Sequence, residues 1–330
     1  MKSSCPESAS TRGPVPRMEK HSAIFILNPA AGHGRAGRVW DSLKAAALRL
    51  LPDSACVVTE GPGHAAVIAR EAALAGASKI IAVGGDGTFS EALEGVMAAP
   101  EHARRAVTLG AVPAGSGCDL ARHLGYPRDQ DGLLDLLARS ASRKIDVGRI
   151  SCAGLDGAPK VRHFINIAAF GLAGDVAHRI KASGKPLGGT LSYGVSSALV
   201  LLAARAKAVR LLADGEDLSG RYHLGVLANT SSMGGGMLVA PGAVDDDGLM
   251  ELVLVADMSR FALMRNFPKL YRGTHLGSPG ITLKRVRRLE ADSEETVYLN
   301  IDGEADGRFP AVFETLPGAV RVMAPGRKNG

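Results

Sequence analysis

Five consecutive residues, Gly84-Gly85-Asp86-Gly87-Thr88, place three glycines, a carboxylate and a hydroxyl together. Glycine has no Cβ, so such a backbone can bend sharply and approach a ligand closely. Thr88 can cap a helix that begins here. The free N–H groups and positive dipole end of that helix suit a phosphate. Asp86 repels phosphate unless a cation or a donor network intervenes, so the stretch suggests metal-assisted phosphate chemistry. A plain glycine turn is the competing reading. Two further Gly-rich stretches, residues 28–37 and 113–117, have the same character.

The elements that position these stretches follow from hydrophobic periodicity. Ile80 to Val83 reads as a buried strand, and Phe89, Leu93, Val96 and Met97 recur at helical spacing. Ala23 to Leu27 is a strand running into Asn28-Pro29-Ala30-Ala31-Gly32, with a helix expected from about Arg38 to Leu51. A strand at Ala55 to Thr59 and a helix at His64 to Leu74 follow. Val107 to Val112 leads into Pro113-Ala114-Gly115-Ser116-Gly117, with helices expected around 119–124 and 131–140. Alternating strands and helices imply an α/β domain with a doubly wound parallel sheet. All three Gly-rich loops then fall at the carboxyl ends of strands, where such sheets bind ligands.

From Ile145 the texture changes. Runs at 161–169, 208–213, 222–228, 249–255, 281–283, 296–301 and 319–323 read as strands, several separated by Asp-Gly turns. Helices are expected at 172–183, 190–206 and 259–271. The second half therefore reads as a mostly antiparallel, β-rich domain.

The bulk composition sets bounds. With 330 residues the chain has room for two domains, and 46% apolar residues supply ample core. A net charge of +6 suits anionic substrates or an anionic membrane, without the dense basic patch of a nucleic-acid binder. Cys5, Cys56, Cys118 and Cys152 have no CxxC spacing, so neither zinc nor a disulfide framework is indicated and a cytoplasmic setting is expected. Residues 1–20 read as a disordered tail without a signal-peptide h-region. The most apolar later stretch, Val195 to Ala204, is half the length a membrane span needs. No GxxxxGK[ST], HRD with DFG, HExxH or GxSxG is present, which removes P-loop and protein-kinase chemistry among others. Residues 32–37, GHGRAG, fit GxGxxG formally, and Glu60 stands where a ribose ligand could sit. In a Rossmann turn the first glycine directly follows the strand, whereas Asn28-Pro29 intervenes here.

The motif Gly84 to Thr88 resembles the GGDGT of the diacylglycerol kinase and sphingosine kinase superfamily, which NAD kinases share. Five more segments extend the resemblance over nearly the whole chain after residue 20. Ala111 to Arg122 is similar to P-x-G-T-x-N-D-x-A-R, with Cys118 in place of Asn. Ile145 to Gly148 matches the strand leaving the first domain. Phe164 to Gly174 and Asp246-Asp247-Gly248-Leu249 resemble N-x-x-x-x-G and DDGxL. Asn300 to Glu304 resembles DGE.

The resemblance implies an NAD kinase-like nucleotide domain at 21–146, a lipid domain at 147–318, and a terminal strand and tail at 319–330. It places ATP against Asn28, Pro29, Gly32, Thr59, Gly84 to Thr88, Glu91, Gly115, Ser116 and Asp119. It makes Asp86 the organiser of phosphate and Mg²⁺. It makes Glu304 the general base on the lipid hydroxyl, with Asp302 a neighbouring acid able to raise its pKa. Read from residues alone, Asp302-Gly303 is sooner a type I′ hairpin turn with an exposed Glu304. The resemblance also implies a structural Mg²⁺ held by Asp247 and the carbonyls of Val244 and Leu249, leaving Asp245 and Asp246 as surface charge.

The expected acceptor is a lipid alcohol, diacylglycerol first, with sphingoid bases and ceramide open. An NAD kinase-like enzyme and a catalytically silent relative are the alternatives, Cys118 being the support for the second. Partners expected are an anionic membrane met peripherally and no nucleic acid, with a homodimer left open. Two basic stretches, Lys284 to Arg288 and the helix carrying Arg260, Arg265, Lys269 and Arg272, could rest on anionic lipid.

Overall fold

The computed structural model describes residues 19–115, 117–139, 141–183 and 205–326. The first half alternates β1 (Ala23–Leu27), α1 (Ala31–Leu50), β2 (Ser54–Val58), α2 (His64–Leu74), β3 (Lys79–Gly84), α3 (Asp86–Met97), α4 (Glu101–Ala106), β4 (Thr108–Pro113), α5 (Asp119–His123) and α6 (Gln130–Arg139). The second half contains β5 (Ser142–Ala153), β6 (Pro159–Phe164), β7 (Ile167–Gly171), α7 (Leu172–Ser183), β8 (Lys207–Ala213), β9 (Glu216–Asp217), β10 (Gly220–Ala228) and β11 (Met250–Ala256). It closes with α8 (Arg260–Leu270), β12 (Ile281–Val286), β13 (Arg288–Asp292), β14 (Tyr298–Ile301) and β15 (Glu304–Met323).

Strands β2, β1, β3 and β4 lie side by side in parallel. Every residue of β1 is buried, as expected for a strand covered by helices on both faces. The register is aligned: Leu27 pairs with Val83, and Gly84 with Pro113. The chain therefore leaves β1, β3 and β4 at one level, which puts the three glycine loops side by side. The remaining strands pair antiparallel with one another, and their apolar faces enclose a second core around Phe164, Phe170, Leu252, Leu299 and Phe313.

Two long strands join the halves. β15 pairs with β14 at its start, runs along β5 for most of its length, and ends parallel to β4 at Thr108 and Leu109. The expected strand at 319–323 is thus the end of β15, and it completes the first sheet. Residues 146 and 318 lie inside β5 and β15. The full lengths of β5 and β15 escape hydrophobic alternation because β-bulges break the pattern, whereas β13 goes unmarked in the sequence although it alternates, since it does so over only five residues. The helix expected from Arg38 begins earlier: Gly32, His33 and Gly34 take left-handed backbone angles, and α1 proper follows them. The helices expected at 172–183 and 259–271 are α7 and α8; the one at 190–206, the stretch 195–204, Ser116 and most of the tail fall outside the described residues. No helix among the described residues is long and apolar enough to cross a membrane.

Candidate active site

The three loops meet through glycine. A Cβ on Gly115 would lie 2.4 Å from the Gly85 Cα, and one on Gly32 would lie 2.3 Å from the Ala114 carbonyl oxygen. Neither clash can be relieved by a side-chain rotation, since both partners are backbone. Asn28 stitches the first loop to the second: its Nδ2 donates to Thr88 Oγ1 at 3.1 Å, and its Oδ1 accepts from Ala30 N–H at 3.2 Å. Thr59, half-buried at the end of β2, donates its N–H to the Leu27 carbonyl at 2.8 Å. Pro29 is exposed. Around Gly87 a Cβ would meet nothing within 4 Å, so the N-terminus of α3 is open to a ligand. The first N–H groups of that helix have no intrahelical acceptor, which is the requirement for phosphate binding. Gly115→Ala is expected to push the second and third loops apart, costing about 1–3 kcal/mol of stability and weakening nucleotide binding. Thermal melts with and without ATP read both.

The acids of this region hold backbone. Asp86 accepts N–H bonds from Asp119 at 2.9 Å and Leu120 at 3.2 Å, so it caps α5. That is the donor network which lets a carboxylate sit beside a phosphate site. Burial pushes the Asp86 carboxyl upward, the two backbone N–H groups oppose this, and the charge of Asp119 adds to it. Glu91 accepts from Gly63 N–H at 2.9 Å and Ala65 N–H at 3.2 Å, fixing the start of α2. Asp119 is buried and pairs with Arg122; it also accepts from Ser232 Oγ at 3.1 Å and Gly235 N–H at 2.8 Å. Through Asp119 the first half grips a loop of the second, in which Gly234, Gly235 and Gly236 all have positive φ. That glycine triplet was readable in the sequence as a loop signal but carried no chemical assignment.

Cys118 has φ 51° and ψ 46°, the left-handed region, where asparagine is better tolerated than cysteine. Its Sγ reaches the Gly115 carbonyl at 3.6 Å, and burial, then Asp86, push the thiol upward, so it stays protonated. Cys118→Asn is expected to leave activity intact and to raise stability by about 0.5–1 kcal/mol, read as a higher urea midpoint.

The second half contributes the β14–β15 turn. Asp302 has φ 47° and Gly303 φ 94°, and Ile301 pairs with Glu304, so a tight hairpin turn presents both acids. Asp302 is buried; its carboxylate accepts from Ile165, Asn166 and Ile167 N–H groups, each at 3.0 Å. Burial pushes it up to about 6 against those three bonds, and the Asp86 charge adds to the rise. Asp86 and Asp302 therefore feel one another from opposite halves. Glu304 is half-exposed at 48%, with Arg162 Nη2 at 3.6 Å. Arg162 also pairs with Glu94 of α3 at 2.6 Å and with Asp306. Burial would raise Glu94, but bonds from His163 and Arg162 outweigh it and hold the carboxyl below its ordinary value. Arg162 is thus a junction among α3, the hairpin and Glu304. Nothing in the sequence marks it, because its partners lie far apart along the chain.

The candidate metal centre is crowded by its own cation. Asp247 Oδ1 accepts from Leu249 N–H at 2.9 Å, and Oδ2 pairs with Arg285, whose Nε also lies 3.4 Å from Glu251. Val244 is exposed at 37%. One carboxylate, two carbonyls and access to water suit a hard cation such as Mg²⁺. The half-exposed Arg285 occupies that carboxylate and would have to swing away. Among the described residues no three His, Cys, Asp or Glu side chains converge on one point. The expectation that Asp245 is surface charge is overturned. It is 1% exposed, takes Arg143 in a bidentate pair at 2.5 and 2.6 Å, and has His123 Nε2 at 3.3 Å. Burial acts to raise it, but His123 and Arg143 prevail and hold it far below the ordinary carboxylate range. Asp146, also buried, accepts from Gly248 N–H at 2.6 Å and Gly318 N–H at 2.7 Å, tying the loop of residues 244–249 to β15.

An open parallel sheet with glycine loops at its strand ends, joined to an antiparallel β domain, is the architecture of NAD kinase-like proteins. Residues 22–150 match the diacylglycerol kinase catalytic domain, and residues 166–324 match the YegS C-terminal NAD kinase beta sandwich-like domain. A diacylglycerol kinase of Staphylococcus aureus (strain MRSA252) is 30% identical over 311 residues, covering 93% of each chain. A crystal structure of a diacylglycerol kinase from Bacillus anthracis str. Sterne superposes with a TM-score of 0.72 at 24% identity, covering 92% of this chain and 97% of that one. Yeast NADH kinase complexed with NADH gives a TM-score of 0.50 at 12% identity, covering 93% and 84%. This chain belongs to the diacylglycerol kinase family. The Rossmann reading of residues 32–37 falls with that membership.

Proposed function

We propose that this chain is an ATP-dependent lipid kinase that transfers the γ-phosphate to a lipid hydroxyl, diacylglycerol in the first place, yielding phosphatidic acid. The observation that carries the reading is the convergence of three glycine loops in register, with the Asp302 carboxyl of the second half close enough to Asp86 for that charge to raise it. Phosphoryl transfer asks mainly for positioning and charge stabilisation. Backbone N–H groups of residues 85–88 and 115 hold the phosphates. Mg²⁺ would neutralise phosphate charge, and Asp247 with the Val244 and Leu249 carbonyls would hold a further ion if Arg285 left the carboxylate. Glu304 accepts the proton of the lipid hydroxyl as that oxygen attacks phosphorus and ADP leaves. Such an enzyme works peripherally at the cytoplasmic face of a membrane, where its acceptor resides.

The test is transfer of labelled γ-phosphate from ATP with Mg²⁺ into mixed micelles carrying diacylglycerol, a sphingoid base or ceramide, with NAD in a parallel tube. Label is expected in diacylglycerol. Label in NAD alone, or in none of the four with ATP binding intact, would overturn the reading.

A further inference from the structure

Of the two basic stretches open to lipid, the structure separates one from the other. Lys284 pairs with Glu216, Arg285 with Asp247, and Arg288 with Glu290 and Glu314. Most of that run is neutralised within the protein. Helix α8 is different. No Asp or Glu occurs between Asp257 and Glu290. Arg260, Arg265 and Arg272 are exposed, and among the described residues no carboxylate is in ion-pair reach of them.

The same helix turns apolar side chains to water. Phe261 is 78% exposed, Tyr271 53% and Met264 39%. Phe261, Met264, Arg265, Pro268 and Arg272 follow helical spacing and form one outward stripe, while Leu263 and Asn266 are buried on the inner face. Ser259 caps the helix by accepting from Ala262 N–H at 3.2 Å, so the stripe is held on a formed helix. A stripe of aromatic, thioether and guanidinium groups without acids has the chemistry of the headgroup–acyl boundary of an anionic bilayer. Its place agrees. Gly235 N–H donates to Asp119 at the cleft, and three residues on Leu238 N–H donates to the Leu270 carbonyl at 2.8 Å. The end of α8 is thereby tied to the wall of the cleft into which a lipid hydroxyl must rise.

We propose that α8 is the membrane-docking element. It lies along an anionic phospholipid surface with Phe261 and Met264 in the boundary region and Arg260, Arg265 and Arg272 on lipid phosphates. The assignment rests on the lipid-kinase reading for its purpose, but binding can be read without turnover.

The experiment is sedimentation of the full chain with phosphatidylcholine vesicles, with and without phosphatidylglycerol, over a range of salt. Wild type is expected to bind the phosphatidylglycerol vesicles, less so as salt rises. Neutralising Arg260, Arg265 and Arg272 together to Gln should lower partitioning on the order of 100-fold, at roughly 5-fold per basic side chain. Phe261→Ser with Met264→Ser should lower it about 10-fold or more. Arg288→Gln, an ion-paired control, should stay within about twofold of wild type. All variants should phosphorylate a water-soluble short-chain diacylglycerol as wild type does. Wild-type vesicle binding by both multiple variants overturns the proposal. Vesicle binding that depends on α8, with no lipid phosphorylated, would instead sink the kinase reading and leave the surface standing.

Discussion

Glu304→Gln loses about 100- to 10,000-fold in kcat, the usual contribution of a positioned general base, while ATP affinity and stability stay at wild-type values. The substitution keeps shape and removes the proton acceptor. Glu304 is half-exposed on a hairpin turn, so no buried group is orphaned by the change. Its neighbour Arg162 keeps Glu94 and Asp306 as partners. The stability change should therefore stay within about 0.5 kcal/mol. Steady-state kinetics with a saturating lipid acceptor, alongside ATP titration and thermal melts, check all three. A drop in stability of several kcal/mol would assign Glu304 a structural role instead.

Asp302→Ala gives the largest loss of stability, about 3–5 kcal/mol, because three buried N–H groups lose their acceptor at once. Asp302→Asn costs less, since an amide oxygen still serves part of the set, but its NH₂ must face an N–H donor. Asp302 is a positioning residue: it pins the turn bearing Glu304 to the start of β7. A shift of the base by about 1 Å costs on the order of 100-fold in rate, so kcat should fall with KM for ATP unchanged. The pH dependence separates this from generic damage. The folded carboxyl sits at about 6 against 3.8 for an unperturbed group, so the native state holds the proton more tightly. The stability that this proton supplies is full below about pH 4 and is lost as pH rises through about 6, amounting to about 3 kcal/mol. Asp245 and Glu94, held below the ordinary range, slope the opposite way but do so in wild type and variant alike. The stability difference between wild type and Asp302→Asn should therefore shrink by about 2 kcal/mol between pH 4 and pH 6. Urea unfolding at a series of pH values measures it; a flat difference would contradict the burial argument.

The parallel half of the fold was legible because each of its signals is local. Apolar runs ending on glycine mark β1, β3 and β4, and helical spacing marks α2 and α3. The level at which the three loops emerge was implied by the parallel sheet and is set by the pairing of Leu27 with Val83 and Gly84 with Pro113. What the residues did not reveal is how each acid is used. Asp86 caps α5, Glu91 caps α2 and Asp119 grips the loop at Gly235, all through contacts between distant residues. Asp245 looked like one of three acids on a turn, since its partners His123 and Arg143 lie more than a hundred residues away. Arg162 was hidden for the same reason. The long β15 was legible only at its end, because its twenty residues run through both halves of the sheet and carry no single alternation.

The most direct test of the central claim is a crystal structure with Mg²⁺ and a non-hydrolysable ATP analogue. The account predicts phosphate oxygens on the N–H groups of residues 85–88 and beside Gly115, with Asp86 still capping α5 and Glu304 facing the γ-phosphate. Phosphates bound away from these loops, or Asp86 withdrawn from Asp119 and Leu120 to reach the nucleotide alone, would contradict it.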